Sequence, residues 1–241
     1  MTVDRNLTWD GCFNARDLGG IPTRDGRRLR WGALVRSDSL DRLTAAGWSV
    51  LRSHGIRTII DLRNDDEIGP DTALRPPGLT TVRVPLDDAA DTEFWQYCWD
   101  NCLDGSPLYY QPFLDRKPQR CAAAVAAIAH ARPGGVLIHC GLGRDRTGLV
   151  AMLLLALVDV APEDIAADYD LSTDRLRPAF AARGLEDQGP VIQKILAAKK
   201  TSTREAVLAI LAAFDVHAYL RSAGITIDDI AAIRARFLGT P

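Results

Sequence analysis

The sequence lacks several features that would place it in a common class of protein. Its longest apolar run, residues 149–158, is about half the length of a membrane-spanning helix, so we expect no transmembrane segment. The first residues contain no apolar core of a secretory signal, which favours a cytoplasmic location and leaves export by another route open. Five cysteines in 241 residues, without a CxxC pair, predict free thiols rather than a disulfide framework.

The chain also has no marked excess of positive or of negative charge. The chain has 29 lysines and arginines against 31 acidic residues, which gives a net charge of −2. This balance provides no electrostatic footprint for nucleic acid or for a membrane surface, and we expect no nucleic acid as a partner and no stable insertion into a membrane. Cys98 and Cys102 lie four positions apart, but no histidine or further cysteine is near them, so no metal or other cofactor is predicted.

The order of predicted elements indicates the fold class. Strands and helices alternate in the first half of the chain, and residues after Pro162 form helices only. We predict an α/β fold with a central, mostly parallel sheet flanked by helices, built as one domain over 1–241 with a helical part at 162–241. The predicted strands are 33–36, 56–62, 80–85 and 136–138. The predicted helices are about 44–54, 120–131, 147–158, 163–176, 187–199, 203–222 and 226–238, and 87–116 is predicted as irregular helix and loop.

One glycine-rich loop carries the chemistry. Cys140 directly follows a predicted buried strand and precedes a helix, where the helix dipole and unpaired backbone N–H groups favour the thiolate. The positive charges of Arg144 and Arg146 act in the same direction. Gly141 and Gly143 allow backbone N–H groups to turn inward and form a site for an anion. The loop therefore predicts a nucleophile inside an oxyanion cradle, which suits transfer of a phosphoryl group to sulfur.

Each remaining residue of the loop receives an expected role. The hydroxyl of Thr147 is placed to donate to the sulfur when the intermediate is hydrolysed, and His139 is expected to order the loop rather than to act as a base. The absence of Gly-Lys-Ser/Thr excludes a Walker A loop. A sulfurtransferase also uses a cysteine in a cradle, but its loop is typically one residue shorter. The residues expected to bind phosphate are Gly141, Leu142, Gly143, Arg144, Asp145 and Arg146.

The motif His-Cys-x5-Arg-Thr-Gly at 139–148 resembles the signature of the cysteine-dependent protein tyrosine phosphatases. The wider pattern resembles their atypical bacterial branch, which acts on phosphotyrosine, phosphoserine and phosphoinositides. Its further matches are Asn-Ala-Arg-Asp-Leu-Gly-Gly at 14–20, residues 36–40, Asp-Leu-Arg at 61–63 with Glu67, residues 167–169 and residues 219–225. The resemblance covers about 10–238 and implies a metal-free hydrolase of phosphorylated proteins, with phosphotyrosine first and phosphoinositides as an open alternative.

The same resemblance implies further features and shows one departure. In the related branch C-terminal helices form a lid over the active site, and here about 180–215 correspond to it. The related loops usually carry lysine, linked to phosphoinositides, at the position of Arg144, and arginine keeps the charge but changes the shape.

The proton donor is left open between Asp88 and Asp145, and Asp87 is placed among the residues that support the site. The leaving group needs a general acid, and the superfamily uses an aspartate on a separate loop. Here the loop after strand 80–85 carries Asp87 and Asp88, of which Asp88 aligns better. Asp145 is a rival because the related branch has an aspartate there. The structural alternatives are a solvated acidic turn for the first two, and for Asp145 an ion pair with Arg144 or with Arg16, itself a candidate for a residue that supports the site.

Two other functions are alternatives to the hydrolysis of phosphorylated proteins at this site. The first is a binding module that captures phosphorylated partners without turnover, although nucleophile, arginine and threonine are all present. The second is different chemistry in the same cradle, by a sulfurtransferase or a small-molecule phosphatase.

Overall fold

A computed structural model describes residues 4–239, which fold around a five-stranded sheet. The strands are Arg16–Asp17 (β1), Leu34–Ser37 (β2), Ile56–Asp61 (β3), Thr80–Arg83 (β4) and Gly135–His139 (β5), in the order β1-β2-β5-β3-β4. All neighbouring strands are parallel except β1, which pairs antiparallel with β2. The predicted α/β fold with a mostly parallel sheet is confirmed, and the short edge strand β1 is an addition to it.

Ten helices are seen within the described residues. They are Ala45–Ser53 (α1), Thr92–Asp100 (α2), Tyr110–Arg116 (α3), Pro118–Ala129 (α4), Asp145–Leu157 (α5), Pro162–Ala182 (α6), Gly189–Ala198 (α7), Thr203–Ala213 (α8), Val216–Ser222 (α9) and Ile227–Leu238 (α10). No helix within residues 4–239 combines the length and the apolar character needed to cross a bilayer.

Two regions differ from the sequence-based prediction. Residues 87–116, predicted as irregular, contain α2, α3 and a short 3-10 turn, because Asp91 caps α2 by accepting a hydrogen bond from the N–H of Phe94. The single helix predicted at 203–222 is two helices. Phe214 is extended, and Asp215 starts α9 by accepting from the N–H groups of His217 and Ala218.

The two faces of the sheet are covered differently. Alternation along β5 sends Leu137 to one face, where it packs with Trp48 of α1, and sends Val136 and Ile138 to the other face, where α4 and α5 lie. Helix α5 is apolar on every side and is buried over most of its length, as expected for a helix enclosed by others. Every residue of β5, the strand that leads into the cysteine loop, is buried.

The sheet decides where functional groups gather. In parallel sheets ligands bind beyond the carboxyl ends of the strands. Here β2 ends at Ser37, β5 at His139 and β3 at Asp61, and these three residues lie on neighbouring strands in register. The loop that begins at Cys140 therefore opens between the loops that follow β2 and β3.

Candidate active site

Cys140 lies at the bottom of the site. It is the first residue after β5, and α5 begins five residues later at Asp145. Only 2% of Cys140 is exposed. A substrate must therefore present its reacting atom on the end of an extended group.

The carbonyl groups of the loop point away from its centre. Those of residues 141–143 accept hydrogen bonds from the scaffold: from the N–H of Ser39 at 3.0 Å, from Nδ2 of Asn14 at 3.0 Å and from the guanidinium of Arg36 at 2.8 Å. In a planar trans peptide the N–H is directed opposite to the carbonyl. The amides of residues 142–144 are therefore directed into the loop, where they form an anion site.

Glycine at 143 is required by this geometry. Its φ of 66° lies in the left-handed region, and a Cβ built there would be 2.2 Å from the carbonyl oxygen of Ser37. The loop thus lies directly against the end of β2.

Arg146 is held in place by two carboxylates. Glu67 accepts from both terminal nitrogens of its guanidinium, with Nη2 to Oε2 at 2.6 Å, and Oδ2 of Asp87 lies 3.1 Å from Nη1. Burial opposes charge on both partners, but the bidentate contact outweighs it, so the pKa of Arg146 is raised and the pKa of Glu67 is lowered. Glu67 takes one N–H from each terminal nitrogen, and the N–H on Nε and the second N–H on Nη2, for which no partner is seen within residues 4–239, remain for a ligand.

Asp87 is the acid that faces this arginine. Burial raises its pKa to about 6, and the nearby carboxylates of Glu67 and Asp145 add to the effect, while Arg146 opposes it. An aspartate with such a pKa holds a proton for part of the time near neutral pH. It therefore meets the requirement for a general acid.

Asp88, which aligned better from sequence, is occupied elsewhere. Its Oδ1 accepts from Arg120 at 2.7 Å and its Oδ2 lies 3.3 Å from Nζ of Lys117. The backbone of Asp88 is left-handed, with φ of 54°, and this turn sends neighbouring side chains in different directions. The comparison with the family motif thus favoured Asp88, which pairs with Arg120 and Lys117, whereas Asp87 lies next to Arg146 of the cysteine loop.

Asp145 is also in an ion pair, as the alternative interpretation of the sequence had it. Its carboxylate accepts from Nε of Arg144 at 3.1 Å and from Nη2 at 3.2 Å, and the hydroxyl of Tyr169 lies 3.3 Å away. The same Nη2 donates to Oε1 of Gln188 at 3.1 Å, just before α7. Arg144 thus connects the loop to the C-terminal helices.

A buried ion cluster supports the loop from behind. Oδ1 of Asp168 accepts from Arg16 at 3.1 Å and Oδ2 accepts from Arg36 at 2.8 Å, and Arg36 in turn holds the loop carbonyl of Gly143. Burial alone would raise the pKa of Asp168, but the arginines hold it well below its usual range. Burial and the charge of Arg36 lower the pKa of Arg16 to about 9. Arg16 therefore supports the site through Asp168.

His139 and Thr147 flank the cysteine. Burial lowers the pKa of His139 to about 4, so its ring is neutral, and Nδ1 lies 3.3 Å from the carbonyl oxygen of Cys140. A neutral ring in this position fits the expected ordering role. The hydroxyl of Thr147 is buried and has no hydrogen-bond partner within residues 4–239, so it is free to bond the sulfur or a ligand.

Sequence reasoning missed the importance of Asp168. It was noted only within the match at 167–169, yet its carboxylate accepts from Arg36, which in turn holds the loop. Its separation from the loop along the chain gave no signal of contact. Between residues 4 and 239 no group of three or more His, Cys, Asp or Glu side chains could hold a metal ion.

Taken together, a cysteine at the carboxyl end of a central strand, inward amides and a fixed arginine define a cysteine-dependent phosphatase site. A model described as the tyrosine phosphatase family matches residues 7–239, and the chain belongs to this family.

Two curated relatives are similar to the chain. A putative tyrosine-protein phosphatase of Cupriavidus necator is 32% identical over 176 residues, which are 70% of this chain and 64% of that protein. The triple specificity protein phosphatase PtpB of Mycobacterium tuberculosis is 32% identical over 204 residues, which are 72% of this chain and 71% of that protein. The chain thus spans somewhat less than two thirds of the first of these relatives.

A solved structure, P. aeruginosa TpbA in complex with pTyr, matches with a TM-score of 0.40 and 17% identity. The match covers 82% of this chain and 91% of that one.

Proposed function

We propose that the protein hydrolyses phosphomonoesters, first of all phosphotyrosine in proteins, through a cysteinyl-phosphate. The observation that carries the proposal is the pair of fixed donors around a buried sulfur: the inward amides of residues 142–144 and the guanidinium of Arg146, held by Glu67. Such donors stabilise the charge that develops on a transferring phosphoryl group. Membership of the tyrosine phosphatase family and the names of both relatives support the same reaction.

In the first step the phosphate binds to the amides and to the free Nε and Nη2 groups of Arg146. The thiolate of Cys140 attacks phosphorus while the bond from phosphorus to the ester oxygen breaks. Asp87 gives its proton to that oxygen, so that a neutral alcohol or phenol leaves and Asp87 becomes a carboxylate.

In the second step water attacks the cysteinyl-phosphate. Asp87, now a carboxylate, takes a proton from the water as its oxygen bonds to phosphorus. The phosphorus–sulfur bond breaks, and the thiolate of Cys140 leaves with a hydrogen bond from the hydroxyl of Thr147. Phosphate is released, and the thiolate and the protonated Asp87 are restored.

Asp87 is the proposed acid because its carboxylate lies next to Arg146 and has no other ion-pair partner within residues 4–239. Asp88 is paired with Arg120 and Lys117. Asp145 is paired with Arg144.

Two observations support phosphotyrosine over shorter or more highly charged substrates. A sulfur that is almost fully buried favours a phosphate carried on a long side chain, and Phe13 and Leu142, packed against the end of α6, offer apolar contacts to a ring. Arg144 stands where related loops carry the lysine linked to phosphoinositides, but here Asp145 and Gln188 bind its guanidinium. We therefore propose phosphoproteins rather than phosphoinositides as substrates.

The family resemblance implied a lid at about 180–215, and we propose a shorter lid. In α7 only Leu196 is buried, whereas Val207 and Ile210 of α8 belong to the main core. We propose that residues 183–202, with α7, open as a lid, and that the bond from Arg144 to Gln188 closes it.

The test is hydrolysis of p-nitrophenyl phosphate in EDTA by the wild type, by Cys140→Ser and by Cys102→Ser, a control that changes an exposed cysteine. We expect activity in the wild type and in the control, and none in Cys140→Ser. Phosphotyrosyl and phosphoseryl peptides then measure the preference. An inactive wild type that is folded, or activity that EDTA abolishes, would contradict the proposal.

A further inference from the structure

The segment that carries Asp87 is fixed to the rest of the protein along its length. The N–H groups of Val84 and Leu86 donate to the carbonyls of Asp61 and Leu62, at 2.9 and 3.2 Å, and so extend the pairing of β4 with β3. One residue later the chain reaches Asp87. A proton-donor loop that swings between open and closed positions would not be tied to the central sheet in this way.

The other side of the segment is held by side chains. Nη1 of Arg120, on α4, donates to the carbonyl of Pro85 at 2.8 Å, and the indole Nε1 of Trp95, on α2, donates to the carbonyls of Asp87 and Asp88 at 3.2 and 3.4 Å. Two separate helices therefore bind the acceptors of the segment just before and just after the proposed acid.

Asp88 completes the attachment. Its left-handed φ of 54° is unfavourable for a residue with a Cβ, and it persists where surrounding contacts enforce it. Those contacts are the bonds of its carboxylate to Arg120 and Lys117. Its carbonyl also accepts from the N–H of Asp91 at 2.9 Å, which joins the turn to the start of α2.

We propose that Asp88, Arg120 and Trp95, which we call the acid anchor, are positioning residues that hold Asp87 in its proton-donating place before any substrate binds. This inference rests on the proposed function of Asp87. Under this proposal, proton transfer from Asp87 needs no closure of the 84–88 segment. None of the three anchor residues contacts Arg146, so they act through Asp87 alone.

The anchor predicts a loss that depends on the leaving group. Phenol has the pKa of a tyrosine side chain, about 10, and its departure needs a proton. The far more acidic p-nitrophenol leaves without much help. A displaced Asp87 therefore slows the first step for phenyl phosphate and spares it for p-nitrophenyl phosphate, and binding of the phosphate stays as it was. The second step, in which Asp87 acts as a base, is common to both substrates, so the comparison uses kcat/KM, which reports the first step only.

The experiment compares Arg120→Met with Arg116→Met on both substrates. Arg116 is the matched control because it removes the same charge from the same surface and bonds Asp91 and Glu93, not the 84–88 segment. For Arg120→Met we expect kcat/KM on phenyl phosphate to fall about tenfold, a fraction of the 10²–10⁴ that a general acid contributes. We expect kcat/KM on p-nitrophenyl phosphate to change less than about threefold, and inhibition by inorganic phosphate to stay within about twofold. Arg116→Met should match the wild type.

Equal losses of kcat/KM on both substrates, or the same pattern in Arg116→Met, would overturn the anchor. If Arg120→Met does not fold, Trp95→Phe decides, because it keeps an aromatic ring and removes only the N–H donor. An unchanged ratio of kcat/KM between the two substrates in that variant would also overturn the proposal. Failure of the proposed function looks different, since the wild type would then show no hydrolysis that depends on Cys140.

Discussion

Replacing Asp87 with asparagine should stabilise the protein at neutral pH while it removes the proposed proton donor. Burial raises the pKa of this carboxyl from 3.8 to about 6. At neutral pH the folded protein therefore keeps a carboxylate where it is disfavoured, and the unfolded chain does not. Asparagine has nearly the same shape and no charge to bury.

The size of the effect follows from linkage. Between pH 4 and pH 6 the folded state binds more protons than the unfolded state, so the stability contributed by protonated Asp87 is lost as pH rises through its folded pKa. About two pKa units at 1.36 kcal/mol each give about 3 kcal/mol by pH 8. For a chain of this size that is roughly 6–12 °C in Tm. Below pH 4 both states are protonated, and the difference should vanish.

The assay is thermal unfolding followed by circular dichroism at pH 4 and pH 8. The neighbouring substitution Asp88→Asn is the control with the opposite sign, because Asp88 is paired with Arg120 and Lys117. Asparagine tolerates the left-handed backbone there, so Asp88→Asn should lose about 1 kcal/mol through the lost ion pairs alone. A Tm difference between Asp87→Asn and wild type that is the same at both pH values, or a less stable Asp87→Asn at pH 8, would refute the buried-acid argument.

Three further outcomes are expected. Asp168→Asn leaves two arginines buried without their carboxylate and should cost about 3–5 kcal/mol in denaturant unfolding; a loss below about 1 kcal/mol would show that the cluster is dispensable. Gly143→Ala should leave folding intact and reduce kcat at least about tenfold, because the new methyl group meets the carbonyl of Ser37 and displaces the loop; wild-type kcat would argue against the cradle. Gln188→Ala removes the bond to Arg144 and should raise kcat/KM for phosphoproteins while p-nitrophenyl phosphate is unchanged; equal changes on both would argue against a lid.

Local sequence patterns predicted the secondary structure well where one helix face or one strand decides it. The helix predicted at about 44–54 forms α1, and the side chain of Thr44 caps it by accepting a hydrogen bond from the N–H of Gly47. The β-branched run at 56–62 forms β3, shortened by one residue to Ile56–Asp61. The prediction of irregular helix and loop over 87–116 was coarser than the structure, because two regular helices form there through aromatic residues that pack against one another, and no periodic pattern announces such a contact.

The reactive loop is a similar case of local determination. Cysteine, glycines, arginine and threonine lie within eight consecutive residues, between a strand and a helix that their own patterns reveal. Everything that defines the nucleophile and the phosphate cradle is therefore contiguous. For this reason the sequence alone predicted the class of reaction and the residues proposed to carry it out.

Three assignments depended on the tertiary structure. The sequence favoured Asp88 over Asp87 as the proton donor, and the proposal of Asp87 rests on the opposite environments that these adjacent residues have only through the left-handed turn that α2 and α4 enforce. The partners of Arg146 and of the loop carbonyls, Glu67 and Arg36, arrive from loops and strands that are distant in sequence. Chemistry carried by neighbouring residues can be inferred from sequence, whereas the direction of a side chain and the burial that raises its pKa exist only once distant segments have packed together.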